Sequence, residues 1–361
     1  MDKRGISDVN MKFVWIFISI LSIAAVWIAI NDVANSRMEE SVSFDEPFIN
    51  LRLEKVHITD SGNISMVIKR EGMDGNLTKI KFFVLDGKNS KTIEKETNLE
   101  NSKWDTFVLT EEDLDHVVFV KEFSIAPIFE LVPGNESIGE ITDKFEFSNE
   151  QILENLGIAS WWKFEENAKD EIGGNHGTLE GNVSFVSGKS GKAGNFEDKE
   201  SYVDLGEFRD LDSFDAFSIA FWVYKKESGN FPTHQGIFTR GSVDQKTPWI
   251  FGYEGTQSLF AQFETTVAVA DCSIGTNTIF ENNWEHVVFS WNGTTCRFYK
   301  NAIITNKDPT KGNVLVNTDG DNFIGRTSGE GYFNGNIDEV MIFNRALTDK
   351  QVKTLYQFDL N

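Results

Sequence analysis

From residue 41 to residue 148 apolar and polar positions alternate in short runs: FINLRLEKVHI, NISMVIKR, TKIKFFVLDG, DTFVLT, HVVFVKEFSIAPIF and IGEITDKFEF. Alternation with period two turns one face of each run toward a core, and clusters of Gly, Asn, Asp or Pro separate the runs. Strands at this spacing predict a small antiparallel sandwich of immunoglobulin-like size over 41–148. The segment NEQILENLG (149–157) reads as a joint, one helical turn closed by Gly157 as its C-cap. Strand patterning then resumes and runs almost to the end. The stretch GYFNGNIDEVMIFNRALTDKQVKTLYQ (331–357) begins as a strand, with Asp338 beside the core positions Val340 and Ile342, and ends as a short helix. Thr348 is its N-cap, Gln351 completes a capping box, and Leu347 with Val352 forms the hydrophobic staple. Val352, Leu355 and Tyr356 give that helix one apolar stripe, which predicts that it lies across a sheet.

One run does not alternate. FVWIFISILSIAAVWIAI (13–30) is apolar apart from Ser19 and Ser22, close to the length a helix needs to cross a bilayer. Lys3, Arg4 and Lys12 precede it, while Asp32, Glu39 and Glu40 follow it with Arg37 as the one nearby base. The positive-inside rule then makes 1–12 a cytoplasmic leader, 13–30 a signal anchor, and the rest an extracellular part of a single-pass membrane protein. A cleaved signal peptide with Ala34-Asn35-Ser36 at its processing site is the rival reading, disfavoured because the apolar run exceeds the ~7–15 residues of a signal core. KRGIS (3–7) resembles, faintly, the leader of archaeal pilin-like proteins, and from it comes the alternative of a structural subunit in a surface assembly.

Charge narrows the partners. With 56 acidic and 34 basic residues the chain carries a formal charge of −22, a balance that repels nucleic acid and anionic lipid. Export changes the reading of Cys272 and Cys296: an even count in an oxidising setting predicts a disulfide, placed between neighbouring strands of one sheet. Asn63, Asn76, Asn135, Asn182 and Asn292 each begin an N-x-Ser/Thr sequon.

The pieces after residue 158 come in a fixed order: WWKFEENAKDEIGGNHGTLEG, GKSGKAGNFEDKESYVDLG, FSIAFWVYKK, NNWEHVVFSWNGTTCRFYKN, NFIGR, and the closing strand and helix. This ordered series resembles the LamG-like jelly-roll family of concanavalin A-like sandwiches over 158–357. The fold class is therefore all-β, with the anchor helix, the immunoglobulin-like sandwich, and a concanavalin A-like jelly roll bearing a short C-terminal helix. Asn292-Gly293 suits a two-residue hairpin turn. Counted outward, that turn sets Phe289 opposite Cys296, Val287 opposite Phe298 and His286 opposite Tyr299. In the next turn Ala302 stands where the family usually has Gly.

The resemblance implies a non-catalytic binding module that recognises a surface glycan or an extracellular protein through its rim loops. Phe231 in ESGNFPTHQG, and Trp249 and Tyr253 in DQKTPWIFGYEG, are the candidate contacts. It also implies one structural Ca²⁺ near the opening loop, held by Asp170, Asn175 and Asp338, since calcium takes six to eight oxygen ligands and a carboxylate beside a core strand needs a partner. Enzymatic chemistry has little support. His57, His116, His176, His234 and His286 are scattered, neither H-E-x-x-H nor G-x-S-x-G occurs, and no strand of 158–356 shows the paired carboxylates of a jelly-roll glycoside hydrolase. TEEDLD (110–115) resembles such an acidic strand but reads better as a capped turn, Thr110 accepting the amide of Asp113. GKSGKAG (188–194) is not a phosphate loop, because Val183 stands where the pattern needs Gly.

Overall fold

A computed structural model describes residues 48–357 except 60–61, 87–88, 116, 118–119, 207–214, 227–233, 242–248, 255–257, 265–268, 274–280, 310–321 and 328–330. The anchor run and the pilin-like leader lie outside the described residues. Among the described residues no helix is long and apolar enough to cross a membrane.

The alternating runs become two antiparallel sheets. The first sandwich contains β1 (Ile49–Ile58), β2 (Ile64–Gly72), β3 (Asn76–Leu85), β4 (Ser90–Glu96), β5 (Trp104–Leu109), β6 (Glu122–Val132), β7 (Asn135–Ile138) and β8 (Asp143–Glu146). One sheet has the order β1-β2-β5 and the other β4-β3-β6-β7, with β8 also on β6. First, second and fifth strands opposite the third and its neighbours is an immunoglobulin-like order. The helical turn Glu111–Leu114 follows β5, and Thr110 caps it: its side chain accepts from the Asp113 amide and the Asp113 carboxylate accepts from the Thr110 amide. The capped-turn reading of TEEDLD holds.

Helix Asn149–Asn155, boxed by Ser148 and Gln151, leads through Gly157 at φ 78° into the second sandwich. Its strands are β9 (Ile158–Trp162), β10 (Thr178–Glu180), β11 (Ser184–Ser187), β12 (Lys192–Asn195), β13 (Tyr202–Asp204), β14 (Phe217–Lys225), β15 (His234–Arg240) and β16 (Trp249–Glu254). They continue with β17 (Ser258–Glu264), β18 (Val269–Ser273), β19 (Trp284–Trp291), β20 (Thr295–Lys300), β21 (Ile303–Pro309), β22 (Asn322–Ile324) and β23 (Gly335–Phe343), before the helix Asp349–Gln357. Seven strands form one sheet, β10-β13-β22-β15-β16-β17-β18, and eight the other, β11-β12-β23-β14-β19-β20-β21 with β9 on β23. Between them lies an aromatic-rich core in which Phe221, Phe289 and Ile342 from one sheet meet Phe251, Leu259 and Ile324 from the other.

Both faces of the eight-stranded sheet are apolar, as the sequence of the β19–β20 ribbon suggests, and the structure shows what each face buries. Alternate residues of its central strands, among them Ala220, Val288 and Met341, point away from the jelly-roll core. They join Leu347, Val352 and Leu355 of the C-terminal segment and Leu114, Val117 and Ile152 of the first sandwich and joint in one continuous cluster. The C-terminal helix is thus wedged between the sandwiches. Its capping box is present, the Thr348 amide donating to Gln351 Oε1 at 2.9 Å and the Gln351 amide to Thr348 Oγ1 at 3.3 Å.

Three expectations about the β19–β20 region are corrected or sharpened. Trp291 pairs with Cys296, Phe289 with Phe298 and Val288 with Tyr299, so the counted register is off by two residues. Asn292 Oδ1 accepts the amides of Thr294 and Thr295, which builds a longer turn than Asn292-Gly293 alone. A shift of two leaves every side chain on its face. At the next turn Asn301 (φ 49°) and Ala302 (φ 64°) both take the left-handed conformation of a type I′ hairpin, alanine included. Finally, Cys272 and Cys296 are bonded, with Cα atoms 6.6 Å apart, but β18 and β20 belong to opposite sheets. The bridge ties the sandwich together across its core instead of stapling one sheet.

Candidate functional site

The chemistry-bearing groups of the second sandwich gather in two places. The first surrounds the start of β23. Its pairing with β14 slips between Ala220 and Trp222, so β23 carries an extra residue there, with Glu339 at φ 51°. The bulge buries two consecutive acids, Asp338 at 0% exposure and Glu339 at 2%. Asp338 Oδ2 accepts the amides of Lys189 (2.7 Å) and Ser190 (3.1 Å). Glu339 Oε2 accepts the indole N–H of Trp161. Glu165 Oε1 accepts the Lys192 amide at 2.9 Å. The GKSG turn therefore is a nest of amides of the kind that holds anions, and the chain's own carboxylates fill it. A Cβ on Gly188 would stand 2.5 Å from Asp338 Oδ2, and one on Gly191 would stand 2.0 Å from Glu165 Oε1, which explains the glycines without any nucleotide.

Burial dominates the electrostatics of this pair. It pushes Asp338 up to about 7 against the pull of its amide donors, and Glu339 up to about 8 with the neighbouring Asp338 adding to the effect. On the outward side of the same sheet His286 lies against Trp222 (ring centroids 5.0 Å) and Tyr356 (5.8 Å), and burial with Lys189 nearby holds it down at about 3. It is a packing residue. The sequence singles out Asp338 but not Glu339, because a bulge that puts two successive buried side chains on the face away from the jelly-roll core breaks the period-two rule.

The residues proposed for calcium are engaged in another way. Asp170 Oδ1 accepts amides from Trp161, Ile172 and Gly173 at 2.8 to 3.1 Å, and Oδ2 accepts both the amide and the side-chain nitrogen of Asn175. These donors hold the Asp170 carboxyl below its usual value although burial opposes them. The Asn175 carbonyl takes the Trp162 indole N–H at 2.9 Å. Asp338 serves the 188–190 turn, not the 170–175 loop. Among the described residues no group of three His, Cys, Asp or Glu side chains converges as a metal site. A carboxylate ringed by N–H donors does not fit a cation: Asp170 and Asp338 cap backbone amides, and the Asn175 side-chain nitrogen bonds Asp170 Oδ2 and Ser160 Oγ.

The second place is the outer face of the seven-stranded sheet. Val203 and Ile324 point into the core, so Tyr202 and Phe323 point out on adjacent strands. Gly325 at φ 91°, where a Cβ would meet the Phe196 ring at 2.5 Å, swings the chain so that Arg326 folds back over them. The Arg326 guanidinium lies 4.5 Å from the ring centres of both Tyr202 and Phe323 and 5.3 Å from that of Tyr332. Arg326 Nε donates to Thr327 O at 3.0 Å, and the bridge between Arg326 and Tyr332 fixes the two sides of the loop. Tyr202, Arg326 and Tyr332 are each half-buried, leaving part of every side chain to solvent. Farther along the same sheet His234 meets Phe260 edge to face at 6.4 Å.

The predicted contact aromatics fare differently. Tyr253 is fully buried, stacked on Phe333 at 6.0 Å, and belongs to the core; a ring with no solvent exposure has no face for a ligand. Trp249 is the first residue of β16, opposite Arg240. Phe231 lies outside the described residues. No sequence rule singled out Tyr202, Arg326 and Tyr332: Tyr202 is far along the chain from the other two and meets them only through the β13–β22 pairing.

Antiparallel sheets of seven and eight strands packed around one core are arranged as a jelly-roll sandwich. Residues 197–353, which lie within the C-terminal sandwich, match the family model of the Concanavalin A-like lectin/glucanases superfamily. Among solved structures the chain is similar to domain 4 of an extracellular GH43 arabinanase from Geobacillus stearothermophilus, determined with arabinotriose: 23% identity, 56% of this chain and 98% of that one, TM-score 0.47. It is similar to the binding domain of Paraclostridial Mosquitocidal Protein 1 at 17% identity over 55% and 52% of the two chains, TM-score 0.45. It is similar also to the ligand binding domain of botulinum neurotoxin serotype D, determined with N-acetylneuraminic acid, at 12% identity over 57% and 52%, TM-score 0.46. The chain spans about half the length of the last two. At these scores the likeness concerns the path of the chain and carries no inference about ligand. No curated protein matches the sequence.

Proposed function

We propose that this is a membrane-anchored, extracellular, non-catalytic binding protein whose C-terminal sandwich takes carbohydrate or a protein surface on the outer face of its seven-stranded sheet. The observation that carries the reading is an asymmetry between the two sheets. The eight-stranded sheet has its outer face closed by the first sandwich and the C-terminal helix, while the other presents the half-exposed Tyr202, Arg326 and Tyr332. Aromatic faces beside a planar cation suit sugar rings and protein surfaces alike. The acids at the β23 bulge support a role without catalysis, because they are shut in the interior and spent on amides and an indole. Anchoring is supported by the apolar run at 13–30 and the charges that flank it.

The test is a glycan and surface-extract screen of the full-length chain in a detergent without a sugar headgroup, with calcium and with chelator. Binding that Tyr202→Ala abolishes supports the reading; binding indifferent to Tyr202→Ala and Tyr332→Ala moves the site elsewhere. The mature N-terminus in membranes separates the anchor, with Met1 intact, from a pilin-like subunit beginning at Ile6.

A further inference from the structure

The Arg326 cluster rests on the binding reading just given and narrows it. Its guanidinium lies 4.5 Å from the centres of two rings set edge to face, with Nε committed to a backbone carbonyl. That leaves the edge formed by the two terminal nitrogens, whose parallel N–H groups match the two oxygens of a carboxylate. Among the described residues Arg326 makes no ion pair and no hydrogen bond beyond the one to Thr327, although acids exceed bases by 22 along the chain. Asp204 is on the neighbouring strand, opposite Phe323, but its Oδ1 accepts the Gly206 amide at 2.8 Å. Packing against Tyr202 and Phe323 also restricts the rotamer freedom that a surface arginine loses on binding, so the fork is presented already oriented.

We infer that the outer face of the seven-stranded sheet selects a saccharide bearing a carboxylate, with Arg326 pairing to that carboxylate and Tyr202 and Tyr332 against the sugar ring. A neutral sugar uses the aromatic faces but leaves the fork unmatched. Uronic and sialic acids share the required chemistry and differ in where the carboxylate sits on the ring.

The experiment titrates the full-length chain, in a detergent without a sugar headgroup, with tetragalacturonate, its carboxyl-reduced counterpart, and an oligomer of N-acetylneuraminate. The expected result is that at least one acidic oligomer binds on the order of tenfold or more tighter than the neutral one, the value of a bidentate charged pair. Arg326→Gln removes that preference, Arg326→Lys keeps only part of it, and Tyr202→Ala weakens acidic and neutral probes together; unchanged melting temperatures show that the variants fold. Equal affinity for tetragalacturonate and its reduced form, with no gain for the sialic oligomer, overturns the inference, as does a preference that survives Arg326→Gln. In those cases the binding reading stands if Tyr202→Ala still weakens the neutral probe. Failure of both acidic oligomers to bind also overturns the inference, and a hit from the wider screen that depends on Tyr202 then keeps the reading alone.

Discussion

The indole N–H of Trp161 donates to Glu339 Oε2, so the first strand of the C-terminal sandwich is tied to its last across 178 residues of chain. The acceptor is an acid that burial pushes from 4.5 up to about 8. A folded-state value above the unfolded one means that the native state holds more protons, so this stability is fully present below about 4.5 and is lost as pH rises toward 8. Glu339→Gln keeps the acceptor oxygen and cannot ionise. Its melting temperature is expected to fall less than that of the wild type between pH 5 and pH 9. The difference is expected to reach a few kcal/mol at the alkaline end, since each tenfold change in a protonation equilibrium corresponds to about 1.4 kcal/mol. Parallel pH profiles of the two proteins would disprove the assignment.

Asp170 has the opposite sign. Five N–H groups converge on its oxygens and hold its carboxyl low, so its contribution is present above about 3.8 and lost as pH falls through the depressed folded value. Asp170→Ala strands buried amides and is expected to cost on the order of 3 kcal/mol or more. Because amides do the work here, chelator is expected to leave the wild-type melting temperature unchanged. A drop on adding chelator that Asp170→Ala abolishes would restore the calcium reading, since an ion at a hundredfold excess over its dissociation constant contributes about 2.7 kcal/mol.

Much of this fold was legible because its rules are local. The capping boxes at Thr110 and Thr348 are written in adjacent residues, and the alternation of 41–148 marks both sheets of the first sandwich. Rules of that kind fail where the third dimension intervenes. The register at Asn292 depends on which amides one side chain chooses, and a count of turn residues does not reveal that choice. Asp338 was visible as an acid beside core positions, but its partner is the turn at Lys189 and Ser190, 149 and 148 residues away. Tyr253 looked like a rim aromatic because its loop is polar, yet it pairs with Gln235 inside the sheet and its ring faces the core. The cluster around Arg326 was invisible because Tyr202 and Phe323 meet only through strands that are distant in sequence.

The bond between Cys272 and Cys296 joins opposite sheets with a sequence separation of 24. The chain-entropy model gives on the order of 3 kcal/mol for closing a loop of this size. Replacing both cysteines by serine is therefore expected to lower stability by about that amount and to make the melting temperature insensitive to reductant. Mass spectrometry after alkylation without reduction checks the bond itself: label on both cysteines of the purified protein would rule it out.

Ala302 sits at φ 64° in a turn whose geometry favours glycine. The left-handed conformation costs a side-chain-bearing residue roughly 1–2 kcal/mol, partly offset here because the Ala302 methyl packs on the shared cluster. Ala302→Gly is expected to stabilise the protein by about 0.5–1 kcal/mol in urea titrations, with an unchanged slope. A loss of stability would mean that the methyl contact outweighs the backbone strain.

The sequence divides this chain into two sandwiches and a joint, but the apolar cluster that holds Leu347, Val352 and Leu355 also holds Leu114 and Val117 of the first sandwich and Ala220, Val288 and Met341 of the second. Cutting the chain at 157 would expose that surface on both sides, so the sandwiches are expected to unfold together. Leu347 is fully buried at the centre of this contact. Leu347→Ala removes apolar volume from a packed site, which typically costs about 2–5 kcal/mol. Calorimetry of the full chain should show one transition that moves as a unit, and hydrogen exchange should rise in β2 and β6 of the first sandwich as well as in β14 and β19 of the second. Two resolved transitions, with only the C-terminal one displaced by Leu347→Ala, would show instead that each sandwich stands alone and that the shared cluster contributes little to their coupling.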